Sequence, residues 1–341
     1  MSVGSLLRSM SASRLAASLG LLLVLGGIGL SVLALWILRE NTIDAWRTQL
    51  ENVCHLLSGH ASQTFEAANL VLDGVAQAVA AERIVDAQDL RARLSDEVTH
   101  RMLQARASSV PSVEVVTLID ERGDVLNYSR TWPARRINVA DRDYFKAYVS
   151  ATPPTGAWVS EPVRNRTNEK WTFFVARRID SASGTFLGLI LVGVTSEYFT
   201  QFYDGIELGR GSDLRLYRSD RTLLAISPQR EALIGQQVHD TGTREIVSLP
   251  RHQGVIELEG SRAAGEADTR ARLVAARALD ALPLIVAASV HSDVYLANWR
   301  RAGQLIGLVA LLSSLAIVVA FAALVRVLRR READLQHTHE L

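Results

Sequence analysis

Residues 141–145 read DRDYF, two acids, an arginine and two aromatics within five positions, which a helix start or a pocket for a small charged molecule could explain. An arginine fork donates paired hydrogen bonds to a carboxylate or phosphate, and a tyrosine adds a ring with a polar tip. With Asp141 as N-cap, a helix starting here carries Arg142 and Phe145 on one side and Tyr144 and Tyr148 on another, so that one set faces the core and the other a cavity. Further candidates are Tyr128 and Arg130 near the exit of a hairpin, Trp158 in a later extended segment, and Arg177 and Arg178 in a long apolar strand. Adjacent strand residues point to opposite faces, so one of these two arginines turns away from any pocket on the other's side. The simpler alternative is a capped helix whose aromatics are core, which suits Phe145 best, with solvated arginines around it.

Catalytic constellations are missing from the sequence as motifs. It holds no HExxH, CxxC, GxSxG or P-loop. His55 and His60 are five apart on a helical pattern, about 140° around it, a poor arrangement for sharing a metal. His337 and His339 fall in a polar tail, and the lone Cys54 suits a small buried side chain. No catalytic residue, metal or cofactor is expected. The net charge of +1 gives no reason to expect nucleic acid as a partner.

The elements that must position these residues begin with two uncharged runs, Leu15 to Leu38 and Ala302 to Val325, each long enough to cross a hydrocarbon core of about 30 Å and so to partner membrane lipid. The first ends in Trp36, Ile37 and Leu38, unlike a signal-peptide cleavage site. Arg326, Arg329, Arg330 and Arg331 after the second span, against Arg300 and Arg301 before it, place the C-terminus in the cytoplasm. Between them, Ile43, Trp46, Leu50, Val53, Leu57, Ala61, Phe65, Ala68, Leu72, Val75 and Val79 form a helical stripe that packs on its own domain, on a second copy, or both. A further helix is expected over 87–106.

The period then becomes that of strands: 113–119 and 124–129 as a hairpin, a helix from Asp141, then strands over 158–163, 170–179 and 185–194. This is an α+β module with its sheet in the middle. The pattern returns, because 175–199 is echoed by 274–295 and the hairpin by 214–227, with Asp220 in the turn of the second copy. Two related modules in series follow, linked through Thr195 to Gly211.

A membrane helix, a long extracytoplasmic helix, two PAS-like modules, DRDYF, GAWVSEPV, a strand ending in ARRID, GTFLGLILVGV and a second span together resemble the double Cache sensor family, of the type attached to diguanylate cyclases or histidine kinases. The resemblance covers Arg39 to Arg301 and implies segments at 1–14 (cytoplasmic), 15–38 (span), 39–110 (helical), 111–203 (membrane-distal, ligand-binding), 204–301 (membrane-proximal), 302–325 (span) and 326–341 (start of a cytoplasmic signalling helix). It also implies that Arg142 holds a ligand carboxylate, with Tyr144 and Phe145 replacing the two aromatics of an Arg-x-Trp-Tyr type motif. Amino-acid-binding members add an aspartate where this chain has Gly193, so a carboxylate or other small anion is expected rather than an α-amino acid. Asp141, Arg142, Tyr144, Phe145, Tyr128, Arg130, Trp158, Arg177 and Arg178 are the expected ligand-binding residues. The expected whole is an extracytoplasmic small-molecule sensor of a bacterial inner-membrane receptor, acting as a homodimer, with its output domain on a longer chain or a partner. An anchored hydrolase and a structural tether are the alternatives.

Overall fold

The structure, a computed structural model, describes residues 12–150, 152–154, 156–237, 240–258 and 270–339, with side chains as far as Arg331. The expectation for His337 and His339 lies outside the described side chains. A single helix, α1 (Ala12–Ala81), runs from the first apolar run into the amphipathic stripe without a break. The chain divides into two compact units, Met1–Trp46 with Tyr295–Leu341, and Arg47–Val294.

The first unit pairs the apolar start of α1 with the last helix, and both carry apolar windows that the protein leaves unburied. A Cβ added to Gly20 would lie 2.7 Å from the Phe321 ring, so the missing side chain is what permits this close approach. Trp299 donates its indole N–H to the Leu35 carbonyl at 2.9 Å.

In the second unit the stripe of α1 is inward, with Leu50, Leu57, Ala61, Phe65, Ala68, Leu72 and Val75 all fully buried. The helical stretch expected over 87–106 is two helices, α2 (Ala87–Leu94) and α3 (Glu97–Ser108). Asp86 caps the first, and Asp96, whose carboxylate accepts from the Thr99 N–H, interrupts the run to cap the second.

The first sheet comprises β1 (Val115–Asp120), β2 (Val125–Tyr128), β3 (Trp158–Val159), β4 (Val163–Arg164), β5 (Trp171–Asp180) and β6 (Phe186–Thr195), in the order β2-β1-β6-β5-β3 with β4 also on β5. The expected strand over 158–163 is thus two short pieces. Pro162 has no N–H to give, and Ser160 fills the gap by accepting the Phe174 N–H on its hydroxyl at 2.8 Å. On one face Phe173 stacks on Phe65 of α1 at 5.8 Å. The opposite face, carrying Val115, Ile119, Phe174, Ala176, Leu189 and Leu191, packs against α4 (Asp143–Val149).

The link from Thr195 contains a helix, α5 (Ser196–Asp204), capped by the Thr195 hydroxyl. The second sheet, of β7 (Ser212–Arg218), β8 (Leu223–Ser227), β9 (Gln253–Leu258), β10 (Arg272–Ala278) and β11 (Leu284–His291), has the order β8-β7-β11-β10-β9, the same path as the first. Even the irregularity is repeated, at Leu118/Ile119 in β1 and Leu216/Tyr217 in β7. A helix α6 (Thr241–Val247) stands where α4 stands in the first module, with Ile246 buried among Tyr217, Val274 and Ala276. A short helix, α7 (Ser292–Tyr295), leads into the long last helix, α8 (Ala297–His339).

Candidate ligand-binding site

A cavity of about 50 Å³ lies between the first sheet, α4 and the loop that joins β4 to β5. Its floor is apolar, built from Val115, Val125, Ile137, Val139, Phe174 and Leu191, and its walls carry Thr117, Tyr128, Tyr144, Asn165 and Thr167. Its rim holds four arginines, Arg130, Arg142, Arg164 and Arg166, and no acidic side chain lines it among the described residues.

The four cations differ in how they are held. Arg130 donates to Glu114 at 2.9 Å and to the Thr167 hydroxyl, Arg164 to Glu231 at 2.6 Å, and Arg166 to Asp141 at 2.7 Å and to the Asn138 carbonyl. Arg142 has only the Arg164 carbonyl, at 3.4 Å, among the described residues. It is therefore the rim guanidinium with the most donors to spare.

Tyr144 is almost fully buried, and no described residue hydrogen-bonds its hydroxyl. Burial pushes its phenol well above the usual range, partly countered by Arg142, so the hydroxyl stays protonated and is a donor beside the rim. Tyr148, its neighbour one turn on, is committed instead: its hydroxyl lies 2.5 Å from the Gly156 carbonyl and 2.8 Å from that of Ala176, and burial pushes it up to about 12.

Of the nine sequence candidates, the fold brings Tyr128, Arg130, Arg142 and Tyr144 to the cavity. The other five lie elsewhere. Asp141 does not cap α4; the helix starts at Asp143 with Arg142 in the N-cap position and no side-chain capping bond, because the Asp141 carboxylate is held by Arg166. Phe145 is core, edge-on to Phe186 at 6.1 Å. Trp158 packs against the same core, with the Arg218 guanidinium 5.9 Å from its ring centre. Arg177 leaves on the opposite face to Asp73 of α1. Arg178 keeps the α4 side but is bound to Asp180 at 2.5 Å and the Tyr148 carbonyl at 3.1 Å, over the Phe186 ring.

Sequence reasoning missed Arg164, Asn165, Arg166 and Thr167, which close the cavity from the loop before β5. The signal was RNRTNEK, a cationic and amide-rich run where a plain turn would serve. The Asn165 side-chain Oδ1 shapes it, accepting the Thr167 N–H at 3.0 Å and hydroxyl at 2.7 Å. Gly193 has no room for an acid: a Cβ there would lie 2.8 Å from Val115 Cγ1 and 3.0 Å from Phe174 Cε1.

At the matching place in the second module the described side chains are of a different kind. Where β1 has Thr117 opposite Leu191, β7 has Arg215 opposite Ala287. Arg215 donates to Asp213 at 2.7 Å and to the Tyr217 hydroxyl at 3.2 Å, with Asp240 at 3.6 Å, and its side chain is 4% exposed. An internal ion cluster occupies the space.

Two sheets of identical path behind one long helix are the geometry of a tandem sensor, and the sequence matches the dCache_1 Cache domain family over residues 36–299. The chain belongs to the double Cache family. Among solved structures, this double Cache chain is similar to the extracellular domain of rpHK1S-Z16, assigned as a histidine kinase, at 27% identity and a TM-score of 0.60, over 75% of this chain and 99% of that one. An extracellular ligand binding receptor from Desulfohalobium retbaense is similar at 11% identity and a TM-score of 0.52, over 71% of this chain and 40% of that one. The sensory domain of the Campylobacter jejuni chemoreceptor Tlp3, with isoleucine bound, is similar at 10% identity and a TM-score of 0.50, over 75% of this chain and 96% of that one. The last two likenesses are of fold alone. No curated protein matches.

Proposed function

We propose that this double Cache chain is the extracytoplasmic sensor region of a transmembrane signalling receptor, and that its first module captures a small carboxylate-bearing anion. The carrying observation is a cavity rimmed by four arginines, with an apolar floor and no lining acid among the described residues. Such a site favours a negative head with a short apolar body and offers an ammonium group no carboxylate among the described residues. A cavity of about 50 Å³ is small, which suits a short anion. Arg142 would take the carboxylate with its spare donors and Tyr144 would add a neutral one.

In this reading the apolar runs at 15–38 and 302–325 cross a bacterial inner membrane, residues 39–301 lie outside the cytoplasm, and the first module is the membrane-distal one. The exposure of both apolar helices and the arginine run after the second support it. Ligand capture biases two arrangements of the sensor by its differential affinity for them, and two copies in a homodimer pass the change to a cytoplasmic output of diguanylate cyclase or histidine kinase type.

A thermal-shift screen of the full chain against short carboxylates, amino acids, amines and purines tests the site. A ligand at a hundred times its dissociation constant stabilises by about 2.7 kcal/mol. We expect a short carboxylate to raise the midpoint, and Arg142→Ala to abolish that rise. A variant that responds as the parent does places the anion elsewhere.

A further inference from the structure

The helix that carries two of the cavity's residues is tied directly to the second module. Asp143, between Arg142 and Tyr144, turns its carboxylate away from the cavity, where Oδ2 accepts the Glu161 N–H at 2.8 Å and the Arg218 guanidinium at 3.1 Å. Arg218 ends β7 of the second module. It also donates to Glu161 at 3.1 Å and to the Val159 carbonyl at 3.4 Å, and is held in its own hairpin by Asp220 at 3.0 and 2.5 Å. One cation thus gathers three carboxylates, two from the first module and one from the second.

A second bridge, Arg164 to Glu231, joins the modules nearby, but both of its side chains are 52% exposed, and such pairs contribute little. The Arg218 side chain is 12% exposed, and without it Asp143, Glu161 and Asp220 would repel one another at close range. Trp158 lies under this cation. The same arginine therefore grips the start of α4 and the β3 segment, two pieces of the first module that meet the second.

We propose that Arg218 is the latch through which a change at the start of α4 reaches the β7–β8 hairpin of the second module. The proposal rests on the reading of the first cavity as the ligand site only for what moves α4, not for the connection itself. When Arg142 and Tyr144 shift toward an anion, Asp143 shifts with them on the same turn. Arg218 must then follow or let go, and either outcome alters the hairpin that Asp220 closes.

The test is hydrogen exchange on the full chain in lipid nanodiscs, reading α4 and the Ser212–Ser227 hairpin separately. Ala147→Gly loosens α4 without any ligand, with exchange there about fivefold faster. The latch predicts that this substitution also speeds exchange in the hairpin at least twofold in the parent, and leaves the hairpin unchanged in an Arg218→Gln background. Arg218→Lys keeps the charge but loses the fork, so it folds with the carboxylates neutralised and still transmits less than the parent. A purely structural Arg218 would loosen both regions when replaced, yet leave the hairpin's response to Ala147→Gly intact. A parent hairpin indifferent to Ala147→Gly, or an equal response in parent, Gln and Lys backgrounds, overturns the proposal. Propionate, added to the parent in a parallel arm, is expected to protect both α4 and the hairpin. If it leaves α4 unchanged while Ala147→Gly still reaches the hairpin through Arg218, the ligand reading fails and the latch stands.

Discussion

Arg142 stands out at the residue scale because three other rim arginines are already engaged with Glu114, Glu231 and Asp141, so anion capacity is concentrated on the fourth. The same reasoning applies to Arg218, whose charge is opposed by burial and restored by Asp220, Asp143 and Glu161, leaving its pKa raised. For Asp220, burial would raise the pKa, but the Arg218 hydrogen bond and the Thr222 N–H outweigh it and hold the carboxyl at about 2. A depressed carboxyl stabilises the fold above its unfolded value of about 3.9, and that contribution fades as pH falls through the folded value. The thermal midpoint of the parent should therefore exceed that of Asp220→Asn at pH 5 to 7, with the gap closing between pH 4 and pH 2; a gap independent of pH would contradict the ion pair. Among single residues, Arg142 and Tyr144 were legible because their types announce their chemistry. The capping role of Asp141 was misread because capping depends on where the carboxylate finds its partner, and Arg166 lies 25 residues further along the chain.

At the scale of elements, periodicity carried most of the information. The α1 stripe was readable because apolar residues three and four apart share one face of a helix, and most of them are buried, with Trp46 and Val53 half-buried. Phe65 is its centre, fully buried against Phe173 and Phe199. Phe65→Ala should cost about 3–5 kcal/mol by urea or thermal unfolding, whereas Leu70→Ala, 70% exposed on the same helix, should cost little. Equal losses would mean that α1 packs by another face. Short-range competition is what periodicity could not resolve: Asp96 splits the stretch over 87–106, and Pro162 splits that over 158–163. The Arg164–Thr167 loop has no period at all, and its place over the cavity follows from the pairing of β4 with β5.

For the whole molecule, the informative feature is that two modules of one topology carry different side chains at matching places. The repeat was visible in the sequence as paired hairpins and paired final strands, and both sheets follow the same path. The asymmetry was not visible, because an arginine in a strand reads the same whether it faces water or, like Arg215, closes a core with two aspartates. In the first module the corresponding face carries valine, threonine and leucine under a cationic rim, which is the difference the proposed ligand site rests on. The most direct measurement is isothermal calorimetry of the full chain with the carboxylate that gives the largest thermal shift and with its primary amide, a neutral molecule of nearly the same shape. The account predicts that the carboxylate binds at least tenfold more tightly, and that Arg142→Ala removes this preference. Equal binding of acid and amide, or a preference that survives in Arg142→Ala, would contradict it.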